Sequence, residues 1–220
     1  MNRRIDTGRV VGIAMFSALA VVVALVCQII PPIAGFLSLD AKDAVISIAA
    51  FVYGPLSSVI ISFIAATIEL FTFSSTGWYG FIMNFVSSAI FSLTASLIYK
   101  RWRRLNGALA GFISAIIATT GIMLLLNIFV TPLYMKSIGF PMTSADVVAM
   151  IPKTLFPFNF AKSLMNSAFA MMLYKPLSVA LKRMKLIEGE INVKFNKNSV
   201  IILTVGAISL VAAVVILMVI

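Results

Sequence analysis

The sequence predicts an all-α integral membrane protein, and its composition and long apolar segments carry that prediction. Of its 220 residues, 61% are hydrophobic and 11% are charged, whereas a soluble domain is about half apolar and about a quarter charged. Apolar stretches of about 20 residues recur, the length that crosses a bilayer as a helix. The strands of a transmembrane barrel alternate in character and do not give runs of this length.

Seven apolar segments follow one another along the chain. They lie near residues 10–30, 42–56, 57–73, 79–99, 107–131, 155–180 and 199–220. The first lacks a small-x-small cleavage pattern, so we interpret it as a retained helix rather than a signal peptide. The second is short, and Gly54-Pro55 predicts a tight turn that joins it to the third as a hairpin.

The last segment differs from the other six. It contains no charge, no proline and no aromatic residue, so we interpret it as an anchor rather than a wall of a site. The preceding residues divide into a six-span unit, 1–185, and a basic cytoplasmic linker, 186–198. Residues 199–220 are then an additional transmembrane helix.

The basic residues are distributed asymmetrically. If the N-terminus is cytoplasmic, the outer side and the membrane keep only four of the 17 Lys and Arg residues, namely Lys42, Lys136, Lys153 and Lys162. The others fall in inner segments, as the positive-inside rule requires. The sequence therefore predicts a multi-pass protein of the cell membrane with a cytoplasmic N-terminus. The same rule explains the net charge of +10, so we expect no nucleic-acid binding.

The chain lacks the residues that usually carry catalysis or bind metals. It has no His, the commonest general base and metal ligand. Only seven residues are acidic, Cys27 is the only cysteine, and no G-x-x-x-x-G-K-[ST] phosphate loop occurs. We therefore expect no enzyme, no metal, no cofactor and no ATP hydrolysis by the chain itself.

Asn159 and Lys162 are polar residues at membrane depth, near the start of the sixth segment. Three residues apart on a helix, they share a face. Asn offers a donor and an acceptor, Lys offers a cation, and the neighbouring Phe residues supply flat apolar walls. Two interpretations stay open: Lys162 snorkels to the outer headgroups, or both residues contact a ligand.

Three further spans carry polar residues at a similar depth. Asn127 most simply bonds a neighbouring helix, while Asn84 bonds either a ligand or another helix. Glu69 needs a cationic partner, because buried charges require one. Lys162 is the ordinary candidate, and a lysine of the preceding loop is the other.

The loop before the second segment contains Asp40 and Asp43. Either carboxylate would cap the next helix, and only one is needed for that. All these polar features map toward the outer half of the membrane. We therefore favour a small-molecule site that opens to the outside.

Small residues recur four apart in the first segment, at Ala14 and Ala18, and Ala20 and Ala24 continue the spacing. Faces of this kind let helices approach closely. The simplest interpretation is packing within this chain.

Four features together resemble the substrate-binding S components of energy-coupling factor (ECF) vitamin transporters, over about residues 8–185. They are Ala14-x-x-x-Ala18, the loop Phe36-Leu37-Ser38-Leu39-Asp40-Ala41-Lys42-Asp43, Gly54-Pro55, and Asn127 with Pro132 and Tyr134 followed by Pro157-Phe158-Asn159-Phe160-Ala161-Lys162. The last combination is most similar to the riboflavin-specific branch. The resemblance implies a six-helix S-component bundle that binds substrate, with the seventh helix outside the family's pattern.

The resemblance implies that the chain captures a vitamin from outside the cell and releases it inside. Its partners would be a membrane coupling subunit and two cytoplasmic ATPase subunits. Ala14 and Ala18 would then form the docking face for the coupling subunit. Riboflavin would be the transported ligand and not a cofactor.

The same resemblance implies a set of site residues. Asn127, Asn159 and Lys162 match positions that contact flavin in the riboflavin branch, and the loop around Leu37 resembles the segment that closes over the ligand. The expected substrate-binding residues are Leu37, Leu39, Asp40, Asn84, Asn127, Tyr134, Asn159 and Lys162. The run Ala41-Lys42-Asp43-Ala44 departs from the family's more acidic pattern. An S component for another vitamin or precursor, or a stand-alone secondary transporter, therefore remains an alternative.

Overall fold

The computed structural model describes residues 7–183 and 197–220. These parts contain eight α-helices and one π-helical turn, and no strand. The elements are α1 (Thr7–Cys27), α2 (Lys42–Tyr53), α3 (Pro55–Thr72), α4 (Gly77–Arg101), α5 (Leu105–Ser137), α6 (Ser144–Met150), the π-helical turn (Ile151–Leu155), α7 (Phe156–Arg183) and α8 (Lys197–Val219). The predicted all-α fold is confirmed. Residues 186–196 of the predicted linker lie outside the described residues.

The turn between α2 and α3 is made by Gly54 and Pro55. Gly54 has a φ of +96°, a backbone conformation that glycine adopts at little cost. Pro55 begins α3, where its missing N–H removes no helical hydrogen bond. The predicted hairpin is therefore confirmed.

Not every helix is long and apolar enough to cross a membrane. Among the described residues, α1, α3, α4, α5 and residues 199–219 of α8 are long and apolar enough to cross a membrane. α2 has only 12 residues, fewer than the roughly 20 that span a bilayer. It is buried from Lys42 to Ala50, so it is a core helix. α7 has 28 residues, but polar residues lower its hydropathy.

The core forms where α2 packs against α1, α3, α4 and α7. Its large buried apolar side chains are Phe16, Ile46, Ile48, Ile61, Phe91, Phe112, Ile116 and Met171. α4 and α5 approach each other closely at Gly111, where a Cβ atom would lie 2.7 Å from the Ala95 carbonyl oxygen. A larger residue at position 111 would therefore separate the two helices.

The connection from α5 to α7 is more regular than the sequence analysis predicts. α6 begins with a capping box in which Thr143 and Asp146 bond each other's backbone N–H groups. Hydrogen bonds from Thr143 hold the pKa of the Asp146 carboxyl below its ordinary value. The π-helical turn then leads directly into α7. The Thr-x-x-Asp spacing at residues 143–146 is the sequence signal for this helix start.

The two ends of the bundle differ in charge. At one end, Arg9, Lys100 and Arg103 border a common cleft, where α1 begins and α4 ends. The opposite end holds the α1–α2 loop (residues 28–41), the α3–α4 junction and the last turns of α5. The polar residues of the predicted site lie at this second end.

Candidate functional site

An open cavity of about 110 Å³ lies at the end of the bundle opposite Arg9 and Lys100. Its wall is formed by the end of α1, the α1–α2 loop, and the facing ends of α3, α4, α5 and α7. Its aromatic lining residues are Phe36, Phe73, Tyr79, Tyr134 and Phe158. Small-molecule sites are concave and are lined mainly by apolar and aromatic side chains, with a few convergent polar groups. The cavity has this form.

Nearly all the predicted substrate-binding residues line this one cavity. They are Leu37, Asp40, Asn84, Asn127, Tyr134, Asn159 and Lys162. Leu39 does not: its side chain packs against the apolar cluster of Ala161, Met165 and Ala213 behind the loop. Leu39 therefore contributes to the packing of the loop, and the role of the other residues in binding stays a prediction.

Lys162 of α7 forms hydrogen bonds with the α1–α2 loop. Its Nζ donates to Asp40 Oδ2 at 2.7 Å and to the Ser38 carbonyl oxygen at 3.4 Å. Lys162 is only 9% exposed, so it does not snorkel to the headgroups. Burial raises the pKa of the Asp40 carboxyl, but the ammonium groups of Lys162 and Lys42 outweigh burial and hold that pKa below its ordinary value.

Asn166 gives the same loop a second attachment. Its Nδ2 donates to the Asp40 carbonyl oxygen at 2.9 Å, and its Oδ1 accepts from the Ala44 N–H at 2.9 Å. Asn166 is not among the residues predicted for the site. It lies four residues after Lys162 and therefore on the same face of α7, which was the available signal.

Glu69 pairs with Lys42. The Lys42 Nζ lies 2.7 and 2.8 Å from the two carboxylate oxygens of Glu69, and Asn84 Nδ2 donates to Glu69 Oε2 at 3.0 Å. The ordinary expectation of a Glu69–Lys162 pair is therefore wrong, because Lys162 is already engaged by Asp40. The alternative, pairing with a lysine of the loop segment, is the one the structure shows.

The two aspartates near the start of α2 have different partners. Asp40 Oδ1 accepts from the Lys42 N–H at 3.4 Å, a long bond to the first turn of α2. Asp43 instead accepts a short hydrogen bond from the Ser88 hydroxyl of α4. Among the described residues, Asp40 is therefore the only one whose carboxylate accepts from a backbone N–H at the start of α2.

Asn127 and Asn159 each donate a hydrogen bond from the side-chain amide to a backbone carbonyl four residues earlier. Asn127 Nδ2 donates to the Met123 carbonyl oxygen and Asn159 Nδ2 to the Leu155 carbonyl oxygen, both at 2.7 Å. Asn127 Oδ1 accepts from Thr131 at 2.8 Å. The expected interhelical bond of Asn127 is therefore wrong. Asn159 Oδ1 has no hydrogen-bond partner among the described residues, and Asn159 lines the cavity.

Ala14 and Ala18 lie on an exposed face of α1, together with Met15 and Val22. Ala20 and Ala24 are buried on another face and pack within the bundle. Packing within this chain is therefore the wrong interpretation for Ala14 and Ala18, while it is correct for Ala20 and Ala24.

The chain matches the family described as "ECF transporter, substrate-specific component" over residues 8–174. It belongs to this family. The predicted resemblance is thereby confirmed, and the chain is a multi-pass membrane subunit of a transporter. No cluster of three or more His, Cys, Asp or Glu suited to a metal occurs in the ranges that the structure describes.

Curated relatives share most of their length with this chain. The riboflavin transporter RibU of Staphylococcus aureus is 32% identical over 176 residues, which cover 80% of this chain and 93% of that protein. The riboflavin transporter RibU of Lactococcus lactis is 28% identical over 202 residues, covering 89% and 96%. The riboflavin transporter FmnP of Bacillus subtilis is 24% identical over 160 residues, covering 71% and 84%.

A solved structure also resembles the fold. It is described as the S component of a bacterial ECF transporter and aligns with a TM-score of 0.65 at 30% identity. The alignment covers 80% of this chain and 98% of that one. The family match ends at residue 174, so α8 lies beyond it.

Proposed function

We propose that this chain captures riboflavin from outside the cell as the substrate-specific subunit of an ATP-driven ECF importer. The observation that carries the proposal is the cavity, where Asn127, Asn159 and Lys162 meet beside aromatic side chains. The similarity to riboflavin transporters from three bacterial species supports riboflavin as the substrate.

The chemistry of the cavity suits a flat ring with a polar edge. Phe36, Phe158 and Tyr79 supply flat apolar surface, and Asn159 Oδ1 supplies an acceptor. An ammonium group has three N–H donors, and Lys162 uses two of them in its hydrogen bonds to Asp40 and Ser38. The third is available to a carbonyl oxygen of the ligand without opening the loop.

The proposed orientation in the membrane and the proposed partner subunits follow from the charge and from the helix faces. A cytoplasmic N-terminus places the basic end of the bundle inside and the cavity outside. The chain lacks an ATP-binding motif, so its energy would come from a membrane coupling subunit carrying two cytoplasmic ATPases. Residues 1–185 would form the binding domain, and the exposed Ala14–Ala18 face of α1 would meet the coupling subunit.

The direct test is the visible absorption spectrum of the detergent-purified protein, followed by titration with riboflavin. Co-purifying flavin, or saturable quenching of riboflavin fluorescence, would support the proposal. A colourless protein that leaves riboflavin fluorescence unchanged would refute riboflavin as the substrate. Thiamine and folate titrations on the same sample would then identify which other vitamin binds.

Asn159→Ala and Lys162→Ala are each expected to weaken riboflavin binding by more than about tenfold, because each leaves a polar group of the bound ligand without a partner. The measurement is the dissociation constant from fluorescence quenching. Thr120→Ala is the matched control, since Thr120 is buried in α5 away from the cavity. Unchanged affinity in both site variants would remove these residues from the site.

A further inference from the structure

One face of α8 is buried against the rest of the protein. The described residues of α8 that are at least partly buried are Ser199, Ile202, Val205, Gly206, Ser209, Leu210, Ala212, Ala213, Ile216 and Leu217, and most of them recur at helical spacing. On the opposite face, Val211 is 64% and Val215 is 54% exposed. A simple anchor in lipid would not need such a face, so the predicted anchor role is incomplete.

α8 lies close to α7 at its middle. A Cβ atom on Gly206 would lie 2.9 Å from Met172 Cγ and 3.3 Å from the Ala168 carbonyl oxygen. Small residues permit this kind of backbone approach within a membrane. Further along, Ala213 is fully buried and shares a cluster with Ala161 and Met165 of α7.

The last turns of α8 reach the back of the α1–α2 loop. Leu217 packs against the cluster of Ala161, Met165 and Ala213, and so do Leu39 and Ala41 of the loop. Leu217 also packs against a second cluster that includes Leu37. α8 does not line the cavity, and it meets the loop through these shared apolar clusters.

The loop is thus held from two sides. α7 bonds it on the polar side, through Lys162 and Asn166. On the apolar side, Leu39 and Ala41 of the loop pack against the cluster of Ala161, Met165 and Ala213, and Leu217 packs against the same cluster. Irregular segments of this kind open locally with low free energy unless packing holds them.

We propose that α8 is a brace that holds the α1–α2 loop in its position at the wall of the cavity, with Leu217 as its principal positioning residue. The inference rests on the proposed function only for the identity of the ligand. If the brace loosens, the loop position that completes the cavity wall is less populated. The apparent affinity then falls by the same factor, even though no residue that touches the ligand has changed.

The test measures loop motion without any ligand. In a Cys27→Ser background, Ala34→Cys places a spin label on an exposed residue at the tip of the loop, outside the cavity lining. Leu217→Ala is expected to make the label more mobile. Val215→Ala on the lipid-facing side of α8 is the matched control and should leave label motion unchanged.

The same variants are then tested for release of riboflavin by stopped-flow fluorescence. Leu217→Ala should speed release about tenfold through the lost apolar contact, and Val215→Ala should not. Gly206→Val, which forces α8 away from the Ala168 carbonyl, should reproduce both effects. Unchanged label motion in both Leu217→Ala and Gly206→Val would overturn the brace. A parent protein that binds no riboflavin would overturn the proposed function alone, since label motion still tests the brace.

Discussion

Glu69→Ala is expected to destabilise the folded protein by about 3–5 kcal/mol, because it leaves the Lys42 ammonium buried without its nearest carboxylate. Lys42 is 2% exposed and Glu69 is 4% exposed. The remaining carboxylate of Asp40 lies 3.9 Å from Lys42 Nζ and already serves Lys162. The measurement is thermal or denaturant unfolding of the ligand-free protein in detergent.

The double variant Lys42→Met with Glu69→Leu provides the control for this prediction. Replacing both members of a buried ion pair with apolar residues is often neutral. The double variant should therefore be more stable than Glu69→Ala, and a double-mutant cycle isolates the coupling. If Glu69→Ala unfolds at the temperature of the parent protein, the buried pair is not what holds α2 and α3 together.

The fold was predictable because its signals are local. Apolar runs of spanning length identify the long helices, and the Gly54-Pro55 pair identifies the hairpin. The status of α2 was harder to predict, since a 12-residue apolar helix in the core and a short membrane span look alike in sequence. Only the burial of α2 by four neighbouring helices distinguishes the two.

The cavity was largely predictable, but the pairing of its charges was not. Polar residues at membrane depth are costly, so their positions pointed to one end of the bundle. Lys42 and Lys162 were both plausible partners for Glu69. The choice depends on contacts between residues 122 positions apart, Asp40 and Lys162, and no local pattern encodes such a contact.

The face of α8 was missed for a related reason. Every residue of that helix suits lipid, so hydropathy does not distinguish a face that meets protein from one that meets lipid. Gly206 was the usable signal, because a glycine within an apolar helix often marks a close approach of two backbones. Composition alone therefore favoured an anchor.

Ala14→Trp is expected to abolish more than about 90% of riboflavin uptake while leaving riboflavin binding unchanged, because a large ring prevents the close helix approach that a small-residue face allows. Ala14 is exposed on α1 and lies outside the cavity, so the fold and the site should tolerate the ring. Uptake is measured in proteoliposomes that also contain the membrane coupling subunit and its two ATPase subunits. Binding is measured by fluorescence quenching. Ile117→Trp is the matched control, since Ile117 is 68% exposed on α5. Normal uptake by Ala14→Trp, or equal loss in Ile117→Trp, would show that this face of α1 does not dock the coupling subunit.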